Sequence, residues 1–195
     1  MTRQRGASLL IALVMLSVIL LLGAAGAALL VLDERAARHL RAHGQARLNA
    51  EAALEEACAE IALGMRVTAS AFPSAQCRAD AEGRGLCRAG RSKADGLLQM
   101  LSGAAAGAAV YGEFSGRRIA PEGVAAPRYL IERIEPTSPA GDGGQDDDAL
   151  YRISAAGFGR GGATAGLQQV VRRQADASGQ ARCLRLAWRT LPLEP

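Results

Sequence analysis

The first third of the chain holds a long uncharged segment that passes into polar sequence without a break. From Gly6 to Leu32 there are 27 residues without a charge. As an α-helix they would extend for roughly 40 Å, which exceeds the ~30 Å hydrocarbon core of a bilayer. Strong helix formers follow from Asp33, and no proline lies among them. The pattern predicts one helix over residues 7–65, with a transmembrane half at 7–32.

The second half of this helix is predicted to be amphipathic. Apolar or small residues recur near a period of 3.6 and would form a stripe that lies on a globular domain: Leu40, Gly44, Leu48, Ala50, Leu54, Cys58, Ile61 and Met65. The charged residues are expected on the other faces: Arg38, Arg41, Glu51, Glu55 and Glu60. The globular remainder would then comprise residues 66–195.

An ordinary secretory signal is a second interpretation of the apolar segment. Such a signal has an apolar part of about 7–15 residues followed by small residues at the cut, and Leu9–Leu22 followed by GAAGAA also meets that description. Cleavage near Ala27 or Ala28 would release a soluble periplasmic binding module. The two interpretations differ in whether the apolar segment stays in the mature protein.

Flanking charge orients the segment only weakly. Arg3 and Arg5 precede it, and Arg35, Arg38 and Arg41 follow it, so the two sides are nearly balanced. A short basic N-terminus in the cytoplasm is the easier arrangement, because it leaves the cysteine-bearing domain outside. We therefore expect a single pass with the C-terminal domain exported.

The basic balance of the chain does not point to nucleic acid. The formal net charge is +4, and arginine supplies nearly all of the cations, because Lys93 is the only lysine. A charge of this size bears on solubility and non-specific contacts. The sequence has no block of about 5–8 basic residues that would mark a dedicated patch. A DNA-uptake receptor stays as an alternative that salt-dependent DNA binding would test.

Four cysteines in an exported domain suggest disulfides. Three pairings of Cys58, Cys77, Cys87 and Cys183 are possible. The loop from Cys77 to Cys87 is the easiest to close, because nine residues with two glycines separate them. Cys58 with Cys183 would then tie the helix to the last strand. Zinc is not favoured, because no C-x-x-C pair occurs.

Strand patterns are confined to the C-terminal part of the chain. After a short candidate around Tyr111 and Phe114, alternating segments occur at 128–134, 150–158, 167–174 and 183–191. They predict an antiparallel sheet of about four strands, from about residue 109 onward, packed on the amphipathic half of the helix, which is an α+β fold. In the last strand, alternation places Leu184, Leu186 and Trp188 on one face and Arg185 and Arg189 on the other.

The sequence contains no catalytic constellation. GFGRGG at 157–162 matches a dinucleotide fingerprint, but a strand-like segment follows where a helix is required, so we interpret its glycines as a turn. His39 and His43 lie four residues apart on one helical face, yet Leu40 stands where H-E-x-x-H has glutamate. We expect no enzyme, no cofactor and no resident metal.

The loop at 135–148 is the one candidate for a cation. It carries Asp142, Asp146, Asp147 and Asp148, and carboxylate oxygens suit calcium. The spacing of an EF-hand is not met, and loops of glycine and aspartate are commonly solvated turns. Calcium is therefore left open and is not part of the predicted function.

Seven short segments, taken in their order along the chain, can be compared with known protein families. They are QRGASLL at 4–10, LNAEAALEEA at 48–57, GLC at 85–87, VYGEFSG at 110–116, APRYLIERI at 126–134, YRISAAGFG at 151–159 and CLRLAWR at 183–189. With a short basic leader that ends in glycine, this order resembles type IV pilin-like proteins, and most closely the PilX family of minor pilins.

The resemblance implies a maturation route and a set of partners. Prepilin peptidase would remove the leader peptide, residues 1–6, by cutting after Gly6 on the cytoplasmic side, and the new amino group of Ala7 would be methylated. The protein would sit in the inner membrane with its head in the periplasm and then join a pilus on the cell surface. Implied partners are other minor pilins, the major pilin, a tip adhesin and the inner-membrane assembly platform.

One departure from the family pattern concerns Ile11. Major pilins carry a glutamate at this fifth position of the mature chain, where its carboxylate is taken to meet the N-terminus of the neighbouring subunit. A buried carboxylate is costly without such a partner. A subunit with Ile11 cannot offer that pair to a subunit in front of it, and it loses least at the tip, where nothing precedes it. The alternative interpretation is that Ile11 has no functional meaning, because any apolar residue is tolerated at this position.

These observations predict a minor pilin that joins a minor-pilin complex, primes type IV pilus assembly and stays at or near the tip. A type II secretion pseudopilin is the alternative within the same class, although a head of about 130 residues without a large helical insertion argues against its tip-type member.

The mature N-terminus distinguishes a retained segment from a discarded one. Sequencing the protein from cells is expected to give ASLLIALV. A start near LLVLDER would instead indicate ordinary signal cleavage and would contradict the pilin interpretation.

Overall fold

The computed structural model describes residues 7–90, 94–119, 123–135, 149–176 and 179–193. The chain divides into two compact units, Met1–Arg41 and Ala42–Pro195. The predictions made for Gly6 and for the aspartates of the 135–148 loop lie outside the described residues.

Helix α1 runs from Ala7 to Leu63. In the first unit, every large apolar side chain between Leu9 and Leu32 is exposed. By length and composition, α1 is the one helix among the described residues that could cross a membrane.

In the second unit, α1 ends two residues earlier than predicted. Gly64 adopts a positive φ of 64° and donates its backbone N–H to the carbonyl of Glu60. This left-handed residue ends the helix, because glycine adopts the conformation without a Cβ penalty. Arg173 Nε also donates to the carbonyl of Ile61 at 3.1 Å. The last turn of α1 is therefore capped from the sheet.

The second unit is built on one sheet of six strands. Its elements are β1 Leu86–Arg88, α2 Ala94–Ser102, β2 Ala109–Val110, β3 Arg128–Ile134, β4 Leu150–Phe158, β5 Thr164–Ala175 and β6 Ala181–Leu191. The strand order is β1-β3-β4-β5-β6, with β2 also pairing with β3. Strands β3 to β6 form an antiparallel meander. The predicted α+β, pilin-like class is confirmed.

The sheet differs from the prediction at its first edge. Strand β1 pairs parallel to β3, so the sheet is mixed and begins at residue 86 instead of about 109. Three residues are too few to show an alternating pattern. The stretch around Tyr111 and Phe114, predicted as a short strand, instead forms turns after β2.

Small residues form the helix face that lies on the sheet. The buried residues of α1 in this unit include four alanines with no exposed surface, Ala46, Ala50, Ala53 and Ala57, together with Leu54 and Ile61. All of them except Ala46 belong to one core cluster with large side chains of the sheet, namely Tyr129, Ile131, Tyr151, Ile153, Leu167 and Val171. Side chains this short allow the helix backbone to approach the sheet closely.

Two glycines at the end of β4 provide the matching surface. A Cβ on Gly157 would collide with the backbone of Ala46 and Ala50, and one on Gly159 would collide with the carbonyl of Ala42. Between them, the carbonyl of Phe158 accepts a hydrogen bond from Asn49 Nδ2 at 2.7 Å. We call this contact of α1 with residues 157–159 the alanine–glycine seam.

The seam corrects the interpretation of GFGRGG. Only the last two glycines of this segment, Gly161 and Gly162, have the positive φ of a turn. Gly157 and Gly159 are required instead by the approach of the helix backbone, because any side chain would occupy its space.

The predicted apolar stripe of the helix was partly wrong. Leu40, Leu48 and Met65 are exposed, with 73%, 65% and 82% of their surface accessible. Glu60, predicted on an outer face, is buried. The prediction followed the large apolar residues, whereas the close approach at the seam selects the alanines.

A second, smaller core lies on the opposite face of the sheet. It contains Cys87, Leu101, Ala108, Leu130 and Ala156, with partly buried residues of α2 and of the chain end packed against it. The sheet is therefore covered on one face by α1 and on part of the other by α2.

A β-bulge changes the predicted faces of β6. Val170 pairs with Ala187 and Val171 with Arg185, so Leu186 is the extra residue. An extra residue reverses the alternation beyond it. Trp188 therefore lies opposite Gln169, whose side chain reaches the carbonyl of Leu54 in α1. The expectation that Leu184 and Trp188 share a face was wrong.

The seam predicts a specific glycine requirement. Gly157→Ala is expected to lower the free energy of unfolding by roughly 1–3 kcal/mol, because the new methyl group meets helix backbone and not a movable side chain. Urea unfolding of the full chain in detergent, followed by the fluorescence of the single tryptophan, measures the change. Gly44→Ala on α1, where a Cβ would meet nothing, is the matched control. It should stabilise slightly or leave stability unchanged. Equal effects of the two substitutions would contradict the seam.

Candidate functional site

The structure describes part of the predicted processing and packing site. Ala7 is the first residue of α1. Ile11, the position that lacks the pilin glutamate, lies one turn further on and is 59% exposed. Its neighbours on the helix surface are the other exposed apolar residues of the first unit. This end of α1 therefore offers apolar surface without a carboxylate.

The cysteines form two disulfides in the structure. Cys58 of α1 pairs with Cys183 of β6, and Cys77 pairs with Cys87 of β1. The first bond links positions 125 residues apart, and the second closes a loop of ten. The long loop removes more entropy from the unfolded chain, and this contributes on the order of 4–5 kcal/mol in the chain-entropy account. No cysteine of the chain is left free.

A buried polar cluster lies where α1 meets the start of the sheet. Glu60 of α1 accepts a hydrogen bond from the Tyr129 hydroxyl at 2.6 Å and another from Arg66 Nε at 2.9 Å. Arg66 in turn donates to the carbonyl of Arg84 at 2.9 Å and stacks 3.7 Å from the centre of the Phe114 ring. One carboxylate thus connects the helix, β3 and two loops.

A second glutamate of the same helix face extends the cluster. Glu56 lies one turn before Glu60 and accepts a hydrogen bond from the backbone N–H of Gly112 at 2.8 Å. Gly112 has a positive φ of 82°, and a Cβ there would collide with Arg117. The Glu56 carboxylate therefore holds the turn at 111–116 against the helix. The turn takes this compact form because residue 112 is glycine.

Burial controls the ionisation of this cluster. Burial raises the pKa of Glu60, although the charge of Arg66 and the hydrogen bonds from Tyr129 and Arg66 oppose the shift. Burial also raises the pKa of Tyr129 far above its usual range, and the negative charge of Glu60 adds to the effect. The tyrosine therefore keeps its proton and donates a hydrogen bond to the carboxylate.

The cluster joins segments that are far apart in the sequence. Three segments meet the two glutamates of α1 here: the loop at Arg84, just before GLC, the VYGEFSG turn, and Tyr129 of APRYLIERI. Sequence analysis did not predict the cluster. The only signal in the sequence was the pair Glu56 and Glu60, four residues apart beside the alanines. A helix exposed to solvent also carries such pairs, so the pattern does not indicate burial.

The candidate metal-ligating residues are not brought together in the part of the chain that the structure describes. No group of three or more histidine, cysteine, aspartate or glutamate side chains within the described ranges could hold a metal ion. His39 and His43 lie on α1 in different units.

The fold and these contacts define a class of protein. A long N-terminal helix with an apolar first part, whose later part is covered by a sheet, is the α+β arrangement of type IV pilin-like proteins. Comparison with known families narrows the class. Residues 84–173, just under half of the chain, match the C-terminal model of the type IV pilus assembly protein PilX. The match supports a PilX-type minor pilin and implies a role in type IV pilus assembly.

The matched region coincides with the core of the second unit. It runs from Arg84, whose carbonyl contacts Arg66, through β3 and β4 to Arg173, which caps α1. The chain matches no curated protein and no solved structure.

The cluster predicts a large effect for one hydroxyl. Tyr129→Phe is expected to lower the free energy of unfolding by roughly 1.5–3 kcal/mol, because it removes a buried donor from a charged acceptor. Urea unfolding of the full chain measures the loss. Tyr111→Phe is the control, since no hydrogen bond of its hydroxyl is found among the described residues; it should change stability by less than ~0.5 kcal/mol. A Tyr129→Phe variant as stable as the control would contradict the role of Glu60.

Proposed function

We propose that this protein is a minor pilin that joins a minor-pilin complex, primes type IV pilus assembly and is incorporated at or near the pilus tip. One observation carries the proposal. Helix α1 has large apolar side chains exposed throughout its first unit and a later part buried by a sheet in a head that matches PilX. Such a helix needs lipid before assembly and other apolar helices after it.

The proposal includes the processing of the chain. Prepilin peptidase cuts after Gly6, and the amino group of Ala7 is methylated. The leader peptide is then residues 1–6, the helix continues from Ala7, and the head follows it. The protein is held in the inner membrane by one span, with the head in the periplasm. Two disulfides in the head fit that oxidising compartment.

Exposed apolar residues of the head supply further packing surface. Leu48, Leu63 and Met65 lie at the outer side or end of α1, with 65%, 70% and 82% of their surface accessible. Lipid does not cover residues beyond the membrane span, so these side chains are available for contact with protein neighbours. Other minor pilins and the major pilin are the partners proposed for this surface.

Ile11 supports the position at the tip. A glutamate there would be buried between helices and would need the N-terminus of a preceding subunit as its partner. Ile11 has no such requirement. A subunit that neither offers nor needs this pair is suited to the first position of the filament. The match to a pilus assembly protein favours this function over a type II secretion pseudopilin.

The priming role predicts the phenotype of a deletion. Cells without the protein should show at least about tenfold fewer surface pili, because the complex that starts the filament is incomplete. Wild-type protein should restore the count, and Gly6→Arg should not, because the uncut leader holds the chain in the membrane. Counting pili by electron microscopy measures both effects. An unchanged number of pili after deletion would remove the priming role.

The same strain tests the location. Immunogold labelling of an epitope tag at the C-terminus should place gold at the ends of pili. Label along the shafts would contradict incorporation at the tip while leaving a role in assembly intact.

A further inference from the structure

Strand β6 is an open edge with an unusual surface. It spans Ala181–Leu191 and pairs only with β5 among the described strands. Its large apolar residues Leu184, Leu186 and Trp188 are 44%, 46% and 41% exposed. Edge strands are commonly protected by short length, charged side chains, proline or a β-bulge. β6 is eleven residues long and contains no proline. Its bulge is confined to Leu186 and its charges are three arginines, so the residues on either side of the bulge can form a ladder with a strand of opposite charge.

A recess lies on the helix side of this edge. Trp188 and Arg185 of β6 face Leu54 and Glu55 of α1 across it. The Arg47 guanidinium lies 5.5 Å from the centre of the Trp188 ring, and Arg47 is held by Glu51 at 3.0 Å. The recess therefore has an aromatic wall with a cation stacked on it. Glu51 and Gln169 also line it, so its apolar surface is limited to Leu54 and the Trp188 ring, on which one apolar side chain can pack.

A second recess lies on the opposite side of the same edge. Ser154 accepts a hydrogen bond from Gln168 Nε2, and Gln168 Oε1 accepts one from Arg189 Nε, both at 2.7 Å. The bond from Nε orients the exposed Arg189 guanidinium, and Arg189 lines the recess. Leu97 and Leu191 supply apolar lining, and Arg152 and Glu132 also line the recess, with 3.7 Å between their charged groups. Two guanidinium groups against one carboxylate leave the recess net positive, which suits a further carboxylate.

The charge of the edge determines what can pair with it. Arg182, Arg185 and Arg189 lie on β6, and no acidic residue occurs between 181 and 191. Like charges on adjacent strands are destabilising. Pairing of two copies of β6 would bring three arginines against three arginines, so the edge disfavours a second copy of this chain. It favours a strand that carries carboxylates.

We propose that β6 is a docking edge for an extended acidic segment of a partner protein, which adds to the sheet as a further strand. Main-chain hydrogen bonds to β6 supply affinity, and alternate side chains enter the two recesses. On one side a carboxylate meets Arg189, and on the other an apolar side chain packs on Trp188. The inference rests on the edge and its charges and does not require the priming role.

Trp188 makes the edge directly measurable, because it is the only tryptophan of the chain. Full-length protein in detergent is titrated with a short acetylated peptide of alternating glutamate and valine, and tryptophan fluorescence is recorded. A saturable change is expected. The matching peptide of lysine and valine should bind at least about tenfold more weakly, a difference of ~1.4 kcal/mol. A glutamate peptide N-methylated on alternate amides should also lose at least tenfold, since it cannot form the ladder.

Charge reversal provides the matched variants. Arg182→Glu with Arg185→Glu should weaken the glutamate peptide by at least about tenfold. Arg117→Glu with Arg118→Glu, an equal change at exposed positions away from the sheet edge, should leave its binding unchanged. Urea unfolding of both double variants checks that the fold is kept.

Several results would overturn the proposal. These are no binding of the glutamate peptide, equal binding of the lysine or N-methylated peptide, or equal effects of the two double variants. Sedimentation tests for pairing with a second copy. A dimer that the double substitution Arg182→Glu with Arg185→Glu disrupts would assign the edge to a second copy of this chain. Displacement of the glutamate peptide by a DNA oligonucleotide would assign it to nucleic acid.

Discussion

The head depends on how closely one helix backbone approaches one strand end. Ala46 and Ala50 of α1 lie against Gly157 and Gly159 at the end of β4, where any larger side chain would separate the two elements. The buried area per residue is small at such a seam. The seam therefore contributes to stability through many close contacts, and through the hydrogen bond that Asn49 donates to the Phe158 carbonyl between the two glycines. The large side chains of the core, such as Tyr129 and Ile153, fill the space beside the seam and not the seam itself.

Specific bonds hold the remaining contacts of the same helix. Glu56 and Glu60 bind the loop at 111–116 and Tyr129, and the Cys58–Cys183 disulfide ties α1 to the far edge of the sheet. The buried carboxylates are costly alone and favourable only with their donors in place. Helix, sheet and loops therefore form one cooperative unit. A head held together in this way keeps the β6 edge and the outer surface of α1 in fixed relative positions.

Much of the fold could be predicted from the sequence, because strong local patterns carry it. The alternating segments at 128–134 and 150–158 match β3 and β4 residue for residue, and residues 7–32 of the uncharged run lie within α1. The parts that could not be predicted depend on contacts between distant segments. The parallel strand β1 is too short for a pattern, the bulge at Leu186 depends on pairing with β5, and the burial of Glu60 depends on Tyr129.

Amide hydrogen exchange tests the central claim, that the alanine–glycine seam anchors the head, most directly. For the full chain in detergent, peptides that cover residues 46–61 should exchange as slowly as those of β3 and β4, because their opening requires the whole unit to unfold. Peptides of α2, which lies on the smaller core, should exchange faster. If residues 46–61 exchange as fast as α2, the head is not held by the seam, and the account given for the helix is wrong.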